Sequence, residues 1–328
     1  MKSPFSARHF PGLLASLILT VVGRPAAAQV ALPDAKPVPR MQVLPLPDDQ
    51  ASIRQDGVER TRYYFGPTLH RPFLYPIVGP SGRSLTRMGH PHDPVTHSHH
   101  NSVWIAHHDV NGDSFWDDRG AGRIVHRRIL RYDDTDEAAS IVALNAWVGK
   151  GGKIQMMERR GILVQPLPRD EWLLILDLQF EAQGGPVTLG KTPFGPIGVR
   201  MAKTIGVNDG GGLIRNSEGN VGEKGTNGVF WKRARWVDYS GPITPKAAEG
   251  ISLLDHPSNP GHPTPFHVRN DGWMGASLTL DRPITIEPNS PLRLRYGLWV
   301  HGGVPGVEAI NERWSHFART TVQDLPSR

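Results

Sequence analysis

The sequence WLLILDLQF, residues 172–180, is the stretch that decides the fold, because its apolar side chains recur at every second position. Asp177 and Gln179 occupy intervening positions towards its end. Side chains alternate between the two faces of a strand, so a period of two predicts a β-strand with one wholly apolar face. That face comprises Trp172, Leu174, Leu176, Leu178 and Phe180.

The stretch LRLRYGLWV, residues 292–300, has the same period and supports the same interpretation. Arg293, Arg295 and Trp299 alternate with its apolar residues, so its second face is predicted to be basic and aromatic. The stretch is followed directly by His301. A histidine therefore stands at the end of a second predicted strand.

The remainder of the chain is divided by 36 Gly and 30 Pro into short apolar runs, such as residues 141–147 and 161–164. This rhythm is typical of all-β proteins. We therefore predict an all-β fold, a large two-sheet β-sandwich with long loops. One segment has helical spacing and predicts a short C-terminal helix that caps an open end of the sandwich. Its apolar residues are Val307, Ile310, Trp314 and Phe317.

The first 28 residues have the features of a secretory signal peptide. Lys2 and Arg8 precede an apolar run over residues 12–22, and Ala26 and Ala28 form the small-residue pattern of a cleavage site. No later run of about 18 apolar residues exists, so we predict no transmembrane segment in the mature form. We expect cleavage near Ala28 and export to the periplasm or the extracellular space.

Residues 29–52 are rich in proline, which favours an extended leader ahead of the folded domain. The prolines are Pro33, Pro37, Pro39, Pro45 and Pro47. We predict that residues 53–328 form a single β-sandwich domain, because a chain of this length suffices for one large β domain.

Composition excludes several classes of function. The chain has no cysteine, which excludes disulfides, thiol catalysis and thiolate metal sites. Cleavage after Ala28 removes Lys2, Arg8 and Arg24 and no acidic residue, so the formal charge falls from +6 to +3. The remaining arginines are scattered, with no basic run interleaved with aromatic residues, so we predict no nucleic-acid partner.

The stretch HPHDPVTHSHHNSVWIAHHDVNGDSFW, residues 90–116, contains seven of the 15 histidines and predicts a functional site. Neutral imidazole acts as a general base, a metal ligand or a hydrogen-bonding partner for hydroxyl groups. The apolar run at residues 103–106 predicts a buried strand with histidines at both ends. Strand alternation predicts one face shared by His99 and His107 and the opposite face shared by His100 and His108.

Two interpretations of this cluster stay open, a metal-free polar pocket and a metal site. Zinc needs three or four ligands that converge at about 2 Å. The chain has no His-Glu-x-x-His motif and no cysteine, so we predict the metal-free pocket, with no cofactor and with a divalent metal as the alternative. His90, His92 and His97 lie beside Pro91 and Pro94, and a structural role in this loop is predicted for them.

Other polar residues follow predicted strands elsewhere in the chain. Glu218 lies between a short apolar run and Gly219, and is either a general acid or base or an exposed turn residue. Asp255 and His256 follow the predicted strand at residues 251–254, and His267 lies between prolines and a short apolar run. Trp231 and Trp236 are each either a sugar-stacking platform or part of the core, and we predict that one of them is buried.

Several motifs occur in an order that resembles the bacterial family labelled PmoA. They are the histidine pair before the Trp104 run, the Asp-Val-Asn-Gly-x-x-Phe-Trp segment at 109–116, the segments at 216–219, 236–241 and 255–260, and the terminal His301. The resemblance covers residues 63–301 and implies a galactose-mutarotase-type sandwich whose concave sheet presents histidines and carboxylates to a sugar. The membrane methane oxygenase subunit is similar in name only. Asn101 stands where the family often has arginine, so no anion-binding role is carried over.

We therefore predict an exported carbohydrate-active enzyme that acts on a glycan or modified sugar through histidine and carboxylate acid–base chemistry. Hydrolysis, elimination and epimerisation remain alternative reactions. Two other hypotheses are a non-catalytic sugar-binding module and a histidine-ligated metalloenzyme. The predicted catalytic residues are His100, His107, Glu218, Asp255 and His301. The predicted substrate-binding residues are His99, Trp104, Asp109, Asn111, Trp116, His256 and His267.

Overall fold

The structure of the protein is a computed structural model that describes residues 37–326. Its strands are β1 (Met41–Leu46), β2 (Gln50–Gln55), β3 (Val58–Tyr64), β4 (Phe73–Ile77), β5 (Val103–Ile105), β6 (Arg123–Asp134), β7 (Ala139–Val148), β8 (Ile154–Pro166), β9 (Trp172–Ala182), β10 (Val187–Leu189), β11 (Pro196–Arg200), β12 (Leu213–Asn216), β13 (Arg233–Ala234), β14 (Trp236–Thr244), β15 (Ala247–Asp255), β16 (Thr264–Arg269), β17 (Trp273–Ser277), β18 (Ile284–Ile286) and β19 (Leu292–Gly302). Its α-helices are α1 (Val207–Gly210) and α2 (Val307–Arg319).

Two large antiparallel sheets enclose a common apolar core. One has nine strands in the order β1-β2-β3-β4-β5-β11-β17-β16-β13, and the other has eight in the order β12-β14-β15-β19-β9-β8-β7-β6. Buried side chains from both sheets, such as Val199 and Leu174, belong to one packed cluster. The predicted all-β fold, a large two-sheet sandwich with a C-terminal helix, is therefore confirmed.

The two alternating stretches lie side by side at the centre of the eight-stranded sheet. β9 pairs with β19 in a register that places Leu178 opposite Leu294 and Leu174 opposite Leu298. All four side chains are buried in the common core. Complete burial of one leucine side chain stabilises the folded state by about 1.5–3 kcal/mol, so the strand pattern is a large source of stability.

Helix α2 packs on the outer face of the eight-stranded sheet. Ile310 and Phe317 join Leu173, Ile175 and Trp299 in a second apolar cluster, on the sheet face opposite the common core. Gly297 leaves space for this contact, because a Cβ atom there would lie 3.0 Å from the Phe317 ring. The prediction that the helix caps an open end is therefore wrong. The helix instead buries the apolar residues on the outer face of β9 and β19, Leu173, Ile175 and Trp299. No helix among residues 37–326 is long and apolar enough to cross a membrane.

The folded domain begins before Ile53. β1 and β2 are the first two strands of the nine-stranded sheet, and Met41 and Val43 are buried in the core. Pro45 lies on the edge strand β1 and pairs with Ala51. Because an edge strand has a neighbour on one side only, the missing N–H of a proline does not interrupt hydrogen bonding to a second strand. The predicted leader is therefore wrong over residues 41–52, and residues from Pro39 onward form one compact unit. The predicted signal peptide lies outside the described residues.

Candidate functional site

A row of four residues crosses the nine-stranded sheet and forms the base of the candidate site. Trp104 on β5 pairs with Gly198 on β11, Gly198 with Gly275 on β17, and Gly275 with His267 on β16. The residues that flank each of them along its strand are buried and mostly apolar, and they face the common core. The row therefore faces away from the interior of the sandwich.

The two glycines leave room for indole rings to lie across the sheet. A Cβ atom on Gly198 would lie 2.4 Å from the Trp104 ring, and one on Gly275 would lie 3.1 Å from the Trp273 ring. Any larger residue at Gly198 therefore displaces Trp104. The positions of Trp104 and Trp273 therefore depend on these glycines.

A cavity of about 530 Å³ lies on this side of the sheet, and His267 is the member of the row that lines it. Five histidines line it, namely His97, His99, His100, His108 and His267. Its aromatic lining residues are Trp116, Phe194 and Trp273. Its other polar lining residues are Thr96, Asp117, Arg269 and Asp271. A concave, mostly aromatic site with a few converging polar groups has the usual features of a small-molecule site.

Packed aromatic rings fix the position of His100. Its ring stacks on that of Trp104, with centroids 5.4 Å apart and planes inclined by 24°, and lies nearly parallel to that of Trp273, at 6.2 Å. Trp116 packs against Trp104 at 5.3 Å, and His267 meets Trp273 edge to face at 4.2 Å. Contacts of this kind hold side chains in one orientation before any ligand binds.

Burial keeps the inner histidines neutral. It lowers the pKa of His99 to about 4 and that of His267 to about 3. Burial also lowers the pKa of His100 far below its ordinary value, and the neighbouring His99 and Arg200 add to this shift. At neutral pH each of these imidazoles therefore has one N–H donor and one acceptor nitrogen.

Two of these histidines have ring nitrogens without a hydrogen-bond partner among the described residues. They are Nδ1 of His100 and both nitrogens of His267, all of them buried. The nearby backbone carbonyl of Pro193 raises the pKa of His267 and so partly offsets the effect of burial, but it is not in hydrogen-bonding geometry with either ring nitrogen. An unpaired buried polar group costs about 1–3 kcal/mol. These nitrogens are shielded from solvent, and a ligand whose hydroxyl groups reach them would remove this cost.

The two carboxylates of the cavity have different partners. Asp271 accepts hydrogen bonds from Nε2 of His90 at 2.9 Å and from Nη1 of Arg200 at 3.1 Å. Burial raises its pKa, but Arg200 and His90 outweigh burial and hold the pKa below its ordinary value. Asp117 lies at the rim, with Oδ2 at 3.1 Å from Nε2 of His108. A carboxylate that orients an imidazole is a common arrangement for general acid–base catalysis.

Sequence reasoning identified His267 but missed the other cavity residues that the β16–β17 hairpin contributes. His267, Arg269, Asp271 and Trp273 occupy alternate positions across the hairpin, and all four line the cavity. This alternation of polar and aromatic residues is visible in the sequence and could have identified Arg269, Asp271 and Trp273 as well. Phe194 and Asp117 gave no comparable signal, because they lie in irregular segments that folding brings to the site.

Strand alternation did not sort the clustered histidines correctly. His99 and His100 both line the cavity, as does His108, whereas His107 does not. β5 covers only Val103–Ile105, and residues 97–100 form a turn closed by the hydrogen bond from the His100 N–H to the His97 carbonyl. Adjacent side chains in a turn need not diverge as they do on a strand, so the predicted partition of faces is wrong.

Three predicted residues brace the turn that follows β5. His107 is buried, with Nε2 at 2.9 Å from Oγ1 of Thr279, and its Nδ1 accepts a hydrogen bond from the Asp109 N–H. The Asp109 carboxylate accepts a hydrogen bond from the Gly112 N–H. Oδ1 of Asn111 accepts one from the Thr188 N–H. None of the three lines the cavity, and Trp104 lies beneath His100 rather than at the surface.

The other predicted residues lie elsewhere. Asp255 is buried and accepts hydrogen bonds from the Asn259 amide and the Thr264 N–H, and His262 Nδ1 lies 2.7 Å from it. His256 bridges Ser258 and the Ala318 carbonyl near α2. Nε2 of buried His301 lies 2.9 Å from Oδ1 of buried Asp238. Glu218 accepts a hydrogen bond from the Ser217 hydroxyl at the surface. A position at a strand end specifies neither the sheet nor the face, so these residues do not converge on the cavity.

Within residues 37–326, no group of three or more histidine, aspartate or glutamate side chains has the geometry to hold a metal ion. The clustered histidines point to separate partners instead of a common centre. The predictions that concern metal and cofactors stay predictions.

Fold and site together define an all-β sandwich protein with a histidine- and tryptophan-lined pocket on the outer face of one sheet. The chain belongs to DUF6807, described as a family of unknown function, which matches residues 50–315. No curated protein matches the chain.

The solved structures with distant similarity to the chain include the following two. A GalM/aldose epimerase homologue from C. elegans is 7% identical, with 80% of this chain and 99% of that chain covered and a TM-score of 0.36. A TPR-domain containing protein from Parabacteroides distasonis is 10% identical, with 85% of this chain and 50% of that chain covered and a TM-score of 0.28. Similarity at these levels gives no information on function. The resemblance to the PmoA-labelled family stays a prediction.

Proposed function

We propose that the cavity binds a sugar or a sugar-derived small molecule and acts on it through acid–base chemistry. One observation supports this most: neutral imidazoles with unpaired nitrogens, His100 and His267, lie beside the indole rings of Trp116 and Trp273. Sugar hydroxyls both donate and accept hydrogen bonds, and the C–H faces of a sugar ring pack on aromatic rings. A polyhydroxylated ring satisfies both kinds of group at once.

We assign proton transfer to the pair of His108 and Asp117 and hydroxyl binding to the buried histidines. His108 and Asp117 are both partly exposed at the rim, so both side chains are in contact with solvent. The proposal covers hydrolysis, elimination and epimerisation, because each of these reactions needs a proton donor and a proton acceptor. The predicted signal peptide supports an exported enzyme.

Turnover and binding by the mature chain on panels of glycans and keto-sugars test this proposal. His267→Ala should weaken ligand binding about tenfold, because it removes hydrogen bonds to a desolvated hydroxyl. His108→Ala should leave binding nearly unchanged and reduce turnover by a factor of about 10²–10⁴. His316→Ala on the exposed side of α2 is the matched control and should change neither quantity. A panel with neither binding nor turnover would contradict the proposal.

A second candidate function is a non-catalytic sugar-binding module. It is favoured by the inner wall of the cavity, where the buried imidazoles are neutral and suited to hydrogen bonding alone. The same variants separate the two functions. A binding module shows no turnover on any panel member, and its affinity falls with Trp116→Ala and His267→Ala but not with His108→Ala.

A further inference from the structure

Trp231 is an exposed tryptophan in an unfavourable backbone conformation. Its side chain is 48% exposed, whereas Trp236, five residues later, is fully buried. Its φ of 60° lies in the left-handed region, which bulky residues rarely adopt. Two backbone hydrogen bonds hold this conformation, from the Trp231 N–H to the Phe266 carbonyl at 2.8 Å and from the Lys232 N–H to the Val229 carbonyl at 3.0 Å. The fold thus maintains an exposed indole at a local energetic cost, and such a cost is common at binding sites.

The Trp231 ring is connected to the cavity through other aromatic rings. It stacks on Phe230, with centroids 4.5 Å apart, and Phe230 meets His267 edge to face at 4.9 Å. The centroid of Trp231 lies 6.3 Å from that of His267, which lines the cavity. The Arg269 guanidinium lies over the Phe230 ring, 5.7 Å from its centroid. Trp231 therefore does not line the cavity itself but lies next to His267, which does, and its ring is held in place by Phe230.

We infer that Trp231 forms a second sugar-binding subsite beside the cavity, so that the ligand is an oligosaccharide or glycoside rather than a free monosaccharide. This inference rests on the proposed function. One ring of the ligand occupies the cavity, and the next ring stacks on Trp231. Stacking on the exposed indole removes apolar surface from water without a change in the backbone. The neighbouring Phe230 keeps the indole plane fixed, so little side-chain entropy is lost on binding.

A glycan array that carries each sugar as a mono-, di- and trisaccharide tests the inference with the mature chain. The wild-type protein should bind the di- or trisaccharide of its preferred sugar about tenfold more tightly than the monosaccharide. Trp231→Ala should remove this difference and leave monosaccharide affinity unchanged. Trp231→Phe, which keeps an aromatic face, should retain most of it. Val304→Ala, at an exposed apolar residue before α2, is the control and should behave as wild type.

The outcomes separate this inference from the proposed function. Equal affinity for all lengths in the wild type, or a length dependence that persists in Trp231→Ala, overturns the Trp231 subsite while His267-dependent monosaccharide binding supports the proposed function. Absence of binding to every glycan on the array overturns both. Loss of monosaccharide binding in a folded Trp231→Ala protein also overturns the subsite, because the residue would then belong to the cavity.

Discussion

His107 is buried in the turn after β5 and is held by two hydrogen bonds. Its Nδ1 accepts from the Asp109 N–H, so the ring proton of the neutral form is on Nε2, which faces Oγ1 of Thr279. Burial lowers its pKa to about 4, although Asp109 opposes the shift. A second proton on Nδ1 would break the bond to Asp109. The structure therefore uses His107 in its neutral form to hold the turn after β5.

We predict that protonation of His107 destabilises the protein at acidic pH. The folded-state pKa lies below the ordinary value, so the stabilisation is complete above about pH 6.5 and is lost as pH falls towards 4. Between pH 7 and pH 4.5, urea unfolding should show that the wild type loses roughly 2 to 3 kcal/mol more than His107→Gln. An NMR titration of the wild type provides the check that needs no variant. A His107 resonance that titrates near pH 6.5 would show the prediction to be wrong.

At the level of elements, four neighbouring strands supply the base of the site. We predict that Gly198→Ala on β11 destabilises the protein by about 1–3 kcal/mol, because overpacking forces Trp104 to move. A Cβ atom at this position lies 2.4 Å from the indole. The same shift should disturb His100, which stacks on Trp104, and should weaken ligand binding. Chemical denaturation and calorimetric titration measure the two effects.

Gly66→Ala is the matched control for this variant. The nearest atom to a Cβ at Gly66 lies 3.9 Å away, so the same added methyl meets no obstacle. Equal stability of Gly198→Ala and the wild type would mean that Trp104 relaxes freely and that the glycine row does not fix the site.

Three histidines in the loop between β4 and β5 each pair with a different carboxylate. The pairs are His90 with Asp271, His92 with Asp209 and His97 with Asp93. We predict that protein purified without a histidine tag contains less than one transition-metal ion per chain, and that chelation leaves its melting temperature unchanged, because these imidazoles have different partners. Elemental analysis gives the answer. One zinc, copper or iron per chain, lost together with function in His100→Ala, would favour the metalloenzyme hypothesis.

Strands were predictable from the sequence where one face of the strand is entirely apolar and the other is not. The apolar alternation of β9 and β19 is such a case, since every inward residue is apolar and meets the core. The outward face is mixed: Leu173 and Ile175 meet α2, whereas buried Asp177 accepts a hydrogen bond from the Gln323 N–H of the C-terminal segment. β1 was missed because Pro45 and Pro47 indicate an extended leader, and only pairing with β2 shows the segment to be an edge strand. His99 and His100, in the turn before β5, were found through the density of histidines. Asp117 and Phe194 were missed because loop geometry, which brings them to the cavity, has no periodic signal.

On the scale of the whole molecule, the outer faces of the two sheets carry different structural features. The nine-stranded sheet carries the cavity, and the eight-stranded sheet carries α2. We predict that Phe317→Ala destabilises the protein by about 3–5 kcal/mol, because it empties a fully buried site over Gly297. Ligand binding at the cavity should remain unchanged as long as the protein is folded. Glu312→Ala, at an exposed position on the same helix, should change stability by less than about 0.5 kcal/mol.

The separation of the two faces makes a further prediction about additivity. Face-packed sheets lie about 10 Å apart, so Gly198 on the outer side of one sheet and Phe317 on the outer side of the other share no neighbours. Effects of distant substitutions add to within about 0.5 kcal/mol, so the loss of stability in the Gly198→Ala, Phe317→Ala double variant should equal the total of the two single losses. Denaturation of the four proteins under one condition measures this. A coupling above about 1 kcal/mol would mean that the core transmits the displacement of Trp104 to α2, and the cavity and the helix would then act as one unit.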